Sequence, residues 1–409
     1  MTPEGWLPRA RNGGWSYHDR IDVRSHGLPV TAFYAGRYRH SAQQEWQRRL
    51  AAGEIERNGQ RLLADVVLGA GDRLVWQRPP WWEEAVPGTW AVVLDDGDLL
   101  VIDKPAGLPV LPAGGWLAHT VLGLLQRRHQ GDAAGVPRPV HRLGRFTSGL
   151  LVCARRPATR AWLSARLRDS TAGGVDQGAD RGAVRGAASD LVAAAGRVDE
   201  DPRAAIASGP IAGPLWPEAP GWPTGLKAAG VGPPTPAAGP SDAGERPGSA
   251  AEPGCRKLYR ALLVPGVLAL APGDSRSITT PIGRRPHPQL GQIWCAADGS
   301  QAGDLAARST LTLLERHAEA DLVQVAIASG RPHQIRIHCA ALGAPLLGDP
   351  LYWSGGLAAA TALPGDGGYR LQAWRLELPC PGGERLDLEV PVALALGGPI
   401  SQGWLAPTP

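Results

Sequence analysis

"VHRLGRFTSGLLVCARR", Val140 to Arg156, decides how the rest of the chain is read. It joins one histidine and two arginines (His141, Arg142 and Arg145) to a Thr-Ser-Gly turn and then to an apolar run with the look of a buried strand. That is the make-up of a catalytic loop. Yet no carboxylate lies between Asp132 and Asp169. The loop has the shape of an acid-bearing site without its acid.

Outward from this loop the flanks read as alternating strands and helices. Upstream, "AVVLDDGDLLVIDKPAG" (91–107) reads as strand, Asp-Asp-Gly turn, strand and a Lys-Pro-Ala-Gly loop. Downstream, Ala158–Arg168 reads as a helix striped by Trp162, Leu163 and Leu167. "CRKLYRALLV" (255–264) and "LVQVAIAS" (322–329) have strand spacing. "SGRPHQIRIHCAALGAPLLGDPLYW" (329–353) follows. Ser329 suits a helix cap and Pro332 a first turn, Gly343 suits a left-handed stop, and Ile335, Cys339 and Leu342 form a stripe. Arg331, His333 and Arg336 then fall in the first two turns, where a helix start favours anions. "HQIRIH" also alternates as a strand would; the caps favour the helix.

The length of 409 residues implies two or three domains. Hydrophobic residues at 43% and charged residues at 20% belong to a soluble globular protein. A net charge of +4 does not by itself argue for nucleic acid, but arginine greatly outnumbers lysine and clusters beside the motifs. The five cysteines are scattered with no CxxC pair, which speaks against zinc and for reduced, buried thiols. With no apolar signal core and no apolar run long enough for a bilayer, a cytoplasmic protein with no membrane contact is expected.

Residues 171–254 stand apart. Of these 84 residues, 20 are Ala, 16 Gly and 12 Pro, so they read as a flexible insertion that interrupts one domain. Residues 1–40 read as an N-terminal extension. Residues 41–87 read as a small module: a helix over Ser41–Ala51 capped by Ser41, with Trp46 and Leu50 on one face, ended by Gly53; an Asn58-Gly59 hairpin; and a strand at Leu74–Gln77. Its Arg48, Arg49 and Arg57 form either a solvated basic face or an RNA-backbone contact.

These pieces, in this order, resemble the RluA-type family of RNA pseudouridine synthases. The resemblance rests on "LLVIDKPAGLPV", "HRLGRFTSGLLVCAR", "CRKLYRALL" and "GRPHQIRIHCAALGAPLLGDPLY", and covers roughly residues 41–170 and 255–385. It implies an α+β fold, with a mixed, mainly antiparallel sheet and flanking helices over 88–170 and 255–405. It also makes residues 41–87 similar to a ribosomal-protein-type RNA-binding module. The implied activity is isomerisation of uridine in rRNA or tRNA by a monomer, with no cofactor and no metal. The base is flipped out of its stack, which costs a few kcal/mol.

Family members read His-Arg-Leu-Asp where this chain reads His141-Arg142-Leu143-Gly144, so the position of the catalytic aspartate is Gly144. A subgroup that includes cyanobacterial and plant members is similar in having glycine here. The other positions are kept. Arg336 matches the arginine that pairs with the aspartate, Tyr259 the tyrosine that packs on the target base, and Arg142 the residue that fills the gap left by that base. His141 shapes the loop, and Lys104 is read either as a phosphate contact or as a solvated loop lysine. Asp103, Asp169 and Asp349 are possible substitute acids, each with a structural explanation as well. The resemblance leaves two main functions open: a uridine isomerase, or a catalytically inactive RNA-binding pseudoenzyme. A protein-interaction scaffold built on the insertion is a distant third.

Overall fold

The computed structural model describes residues 3–169, 255–380 and 384–392; the stretch read as an insertion lies outside them. The first unit contains β1 (Trp15–Arg20), α1 (Val30–Arg37), α2 (Gln43–Ala51), β2 (Ile55–Arg57), β3 (Gln60–Arg61) and β4 (Arg73–Arg78). Its four strands run β1-β4-β2-β3, every pair antiparallel. Asn58 and Gly59 take φ of 52° and 82°, as a two-residue hairpin between right-twisted strands requires. Trp46 stacks on Tyr34 at 4.7 Å and meets Trp76 edge-on at 4.7 Å, which fixes α1, α2 and the sheet to one another.

Two expectations for this unit are corrected. Residues 1–40 are no simple extension, because Ile21, Val30 and Tyr34 lie in the same core as Trp46 and β1 pairs with β4 along its whole length. The β1 sequence, "WSYHDR", mixes polar and aromatic residues too evenly to announce a strand. Ser41 does not cap α2. The cap position is Ala42, with no side-chain hydrogen bond, and the Ser41 hydroxyl instead lies 2.9 Å from His40 Nδ1.

The larger unit contains β5 (Ala91–Asp95), β6 (Leu99–Lys104), α3 (Val121–Arg128), β7 (Thr147–Ala154), α4 (Pro157–Asp169), β8 (Arg256–Leu263), β9 (Ser275–Ile278), β10 (Ser309–Arg316), β11 (Asp321–Ile327), α5 (Gln334–Ala341), β12 (Leu371–Pro379) and β13 (Arg385–Glu389). Its strands form one sheet in the order β9-β10-β11-β8-β12-β7-β6-β5, with β13 also on β12. The fold is α+β with a mainly antiparallel sheet, and β7 and β12 form its parallel pair.

β7 is the apolar run of the opening stretch, and it is buried over its full length. Alternation explains why both of its faces are apolar. Leu151 and Cys153 pack with Leu124 and Leu125 of α3 on one face, while Leu150 and Val152 pack with Leu163 and Leu167 of α4 on the other. Beyond α4, Lys257 at the start of β8 donates to the Leu167 carbonyl at 2.9 Å.

The helix reading of "HQIRIH" holds, but its start is different. α5 begins at Gln334, behind a left-handed His333 with φ 54°, and Arg331, Pro332 and His333 lie ahead of it. Ser329 caps nothing; its hydroxyl donates to Gln334 Oε1 at 2.8 Å. Gly343, with φ 85°, closes the helix as expected. Thr147, Ser148 and Gly149 are not a turn but the first residues of β7, paired with Leu371, Gln372 and Ala373. Gly149 sits at φ 100°, where any Cβ would collide with the Ala373 carbonyl, so the parallel pair can close only on glycine. Among the described residues no helix is long and apolar enough to cross a membrane.

Candidate active site

The parallel pairing of β7 with β12 brings two distant segments to one end of the sheet. Thr147 and Leu371 are register partners, so Gly144, three residues before β7, lies beside Tyr369, two residues before β12. The loop before β7 is held from below by Lys104. Its Nζ donates to the carbonyls of Pro105 (2.8 Å), Leu108 (2.8 Å) and Arg145 (3.1 Å). Lys104 is completely buried, and burial, with Arg145 nearby, pulls its pKa down to about 7. Its expected role as a phosphate contact is therefore corrected: the ammonium ties the Lys-Pro-Ala-Gly loop to the Gly144 loop. Arg145 completes the clamp, donating from Nε to the Gly107 carbonyl at 3.0 Å while its own carbonyl accepts from Gly107 N at 2.9 Å.

The space beside Gly144 is occupied. A Cβ there would fall well inside contact distance of the Tyr369 hydroxyl oxygen, 3.2 Å from Thr147 Oγ1 and 3.6 Å from Tyr369 Cζ. Neither side can yield easily. Tyr369 is buried, edge-on to Phe146 at 5.9 Å and under the Arg336 guanidinium at 4.2 Å. Gly144 accepts from Thr147 N at 3.1 Å, and the next carbonyl is the one Lys104 holds. Residue 144 is glycine because a phenol stands where its side chain would begin.

Arg336 is present, but its partner is different from the expected one. Its Nε and Nη2 each reach an oxygen of Asp349 at 2.7 Å, a bidentate pair between buried groups. Asp349 also accepts from Leu351 N at 2.9 Å, so the "GDP" turn is locked to α5. Its carboxylate is fully engaged in this structural role. Asp103 is on the wrong face: it shares parity with Leu99 and Val101, which pack towards α4, whereas Leu100 and Ile102 pack with Leu143. Burial raises its pKa to about 6. The side chain of Asp169 lies outside the described residues.

Tyr259, on β8, packs against both apolar clusters, one holding Phe146, Ile335 and Tyr369, the other Leu143 and Ala373. Burial pushes its phenol up to about 12. Arg336 and Gly144 thus meet at Tyr369, and Tyr259 packs against the apolar cluster that holds Tyr369. Arg142 is exposed and has no hydrogen-bond or ion-pair partner among the described residues. His141 shapes the loop, as expected: its Nε2 accepts from Val152 N at 3.0 Å, and burial, then Lys257, hold its pKa at about 3. His333 is likewise neutral. Because the Tyr352 hydroxyl donates to the Trp294 carbonyl, His333 Nδ1 is the donor in the 2.7 Å bond to Tyr352.

The arginines of the first unit divide. Arg49 is a packing residue, its guanidinium stacked over Trp46 at 4.4 Å and Trp76 at 4.7 Å, with Glu45 at 3.4 Å. Arg57 is held by Asp72 at 2.7 Å. Arg48 pairs with Glu45 but is exposed. Arg20 and Arg73 face each other across β1 and β4, and Arg61 is exposed on edge strand β3; none of these three has an ion-pair partner among the described residues. Tyr369 was missed entirely. It precedes an ordinary alternating strand, and nothing local ties it to a residue more than two hundred positions earlier.

The chain is similar to known proteins. The profile of the RNA pseudouridylate synthase family matches residues 98–172. An uncharacterized RNA pseudouridine synthase of Synechocystis sp. is 31% identical over 377 residues, which cover 92% of this chain and 95% of that protein. RNA pseudouridine synthase 5 of Arabidopsis thaliana is 31% identical over 403 residues, covering 90% of this chain and 89% of that one. The solved structure of Human RNA Pseudouridylate Synthase Domain Containing 1 superposes with a TM-score of 0.41 at 18% identity, over 74% of this chain and 84% of that one.

The steric account of residue 144 is testable. Gly144→Ala should cost about 1–3 kcal/mol through overpacking, and most of that cost should vanish in a Tyr369→Phe background, where a carbon 3.6 Å away replaces the collision. Urea melts of the two single variants and the double variant give the coupling energy; additive costs would show that the hydroxyl is not the obstacle. The loop histidine predicts a pH dependence. Its folded pKa of about 3 lies below the ordinary 6.5, so the unfolded chain binds the extra proton between these values. Its contribution is complete above pH 6.5 and is lost as pH falls towards 3, amounting to about 2 kcal/mol at pH 5. His141→Gln should flatten the stability–pH curve between pH 6.5 and 4; an unchanged slope would place the acid sensitivity elsewhere.

Proposed function

The chain belongs to the RNA pseudouridine synthase family, and from that premise we propose that it isomerises uridine to pseudouridine in structured RNA, rRNA or tRNA, acting as a cytoplasmic monomer. The carrying observation is the meeting of the Gly144 loop and Arg336 at Tyr369, with Tyr259 packed against the same apolar cluster. The exposure of Arg142, two residues before Gly144, supports its entering the stack as the uridine leaves it. The reaction needs no co-reactant. The N1–C1′ electron pair leaves with the base, the base turns, carbon five bonds to C1′, and the proton lost from carbon five is balanced by one gained at N1. Tyr259, packed beneath this end, supports the base and serves in proton removal from carbon five. Arg48, with Arg20, Arg61 and Arg73, gives the first unit a basic surface for the RNA backbone.

One observation favours a second reading, an RNA-binding pseudoenzyme. Neither of the two described acids considered as substitutes is free to stand at the place of residue 144, since Asp349 is committed to Arg336 and Asp103 points to the opposite face. Tritium release separates the two. With total RNA labelled by tritium at uridine carbon five, from cells lacking this chain, the wild-type protein should release label catalytically. Tight binding without release would establish the pseudoenzyme instead.

Binding should weaken with salt in either case, because arginine–phosphate contacts release counterions. Replacing Arg20, Arg61 and Arg73 together by Ala should lower affinity and reduce the log–log salt slope by up to about one unit per lost contact, while Arg49→Ala should lower the melting temperature without changing the slope. Equal slopes for the wild type and the triple variant would remove the first unit from the RNA footprint.

A further inference from the structure

The atom nearest the place where a side chain of residue 144 would begin is the hydroxyl oxygen of Tyr369, with Thr147 Oγ1 3.2 Å from the same point. We propose that the phenolic oxygen is the functional group of the site: Tyr369 presents a lone pair to the ribose carbon of the target uridine in the position where an acid at residue 144 would stand. This rests on the isomerase reading above and adds to it the residue that the reading lacks.

Three features argue for a functional oxygen in place of a filler. The first is orientation. Tyr369 is buried two residues before β12, and its hydroxyl lies against Gly144, an exposed residue of the loop ahead of β7. The second is rigidity. Arg336 over the ring face, Phe146 at its edge and the parallel β7–β12 pair below leave the ring one orientation, and electrostatic assistance depends on a group set in place before the reaction. The third is a neighbouring acceptor. Thr147 Oγ1, at the start of β7, lies 3.5 Å from the hydroxyl, and either oxygen can be the donor. A phenol turned towards Thr147 keeps its lone pairs for the open side, where positive charge builds at C1′ as the bond to N1 breaks. No bond to the protein is required. Apolar packing alone would be served equally well by phenylalanine, whose ring lacks the one atom that forbids a side chain at residue 144.

The experiment is a cycle between the two positions, read by tritium release from the RNA described above. Tyr369→Phe should fold, bind that RNA and show kcat about 100-fold lower with KM within about threefold of wild type. Gly144→Asp alone should be inactive, its Cβ meeting the hydroxyl. Gly144→Asp with Tyr369→Phe should recover kcat to within about tenfold of wild type, because the acid then enters the space the oxygen has left. Retention of kcat within threefold by Tyr369→Phe would overturn the proposal. A folded double variant no more active than Tyr369→Phe would overturn the equivalence of the two oxygens. If Tyr369→Phe does not fold, Tyr369→Met fills the space with a flexible apolar chain and is held to the same kcat criterion. A wild type that releases no label sinks the isomerase reading itself, an outcome distinct from either result on the variants.

Discussion

One buried ammonium organises the end of the sheet where the site lies. Lys104 leaves β6 and is received by three carbonyls, two from its own following loop and one from the loop ahead of β7. An ammonium has three N–H groups, and here each has an acceptor in a place closed to solvent. Removing a buried charge from water is expensive, and the expense is tolerable only when its hydrogen bonds are complete. The two loops are therefore not free to move independently. Any displacement of Arg145 would leave part of a buried cation unsatisfied, and Gly144 is bonded directly to Arg145. The fixed geometry between residues 144 and 369 follows from that constraint.

The same constraint explains what could be read from the sequence. The loop and strand of residues 140–156, the Lys-Pro loop, the helix of residues 334–341 and the hairpin at Asn58-Gly59 all carry local signals: alternation, turn residues and a closing glycine. His141 as a loop-shaping residue was legible too, and so was the neighbourhood of Tyr259 and Arg336. The errors fall where a polar residue has a partner far away. Lys104 looks like a surface lysine because nothing near it in sequence shows that three carbonyls enclose it. Arg49 looks like part of a basic face because the Trp76 ring beneath it lies on another strand. Ser329 looks like a cap because its partner, the Gln334 side chain, lies across a turn that holds a left-handed histidine.

The pairing of Arg336 with Asp349 shows how a motif can persist while its electrical roles are redistributed. Both residues are buried, and each satisfies the other through two hydrogen bonds. Replacing either one alone would leave a buried charge without a counter-charge, a cost of about 3–5 kcal/mol. The pair stabilises the architecture whether or not an acid stands at residue 144. Chemistry at that position and structure around it are thus separable, which is how a glycine can be accommodated there without loss of the fold.

The hydrogen bond from Lys257 to the Leu167 carbonyl places the exit from α4 and the entry to β8 within reach of one another. The two described segments that flank residues 170–254 therefore end close to one another. The entropic cost of closing such a loop grows only with the logarithm of its length, so adding or removing tens of residues changes stability by a fraction of a kcal/mol. The chain is in effect two complementary fragments, one ending with α4 and the other beginning with β8, that zip together along β7 and β12. A covalent link between two such fragments raises their effective concentration. Fragments expressed as separate chains would carry all the contacts needed to find one another, so the connection is a natural cut point for a split reporter or for the insertion of a whole domain.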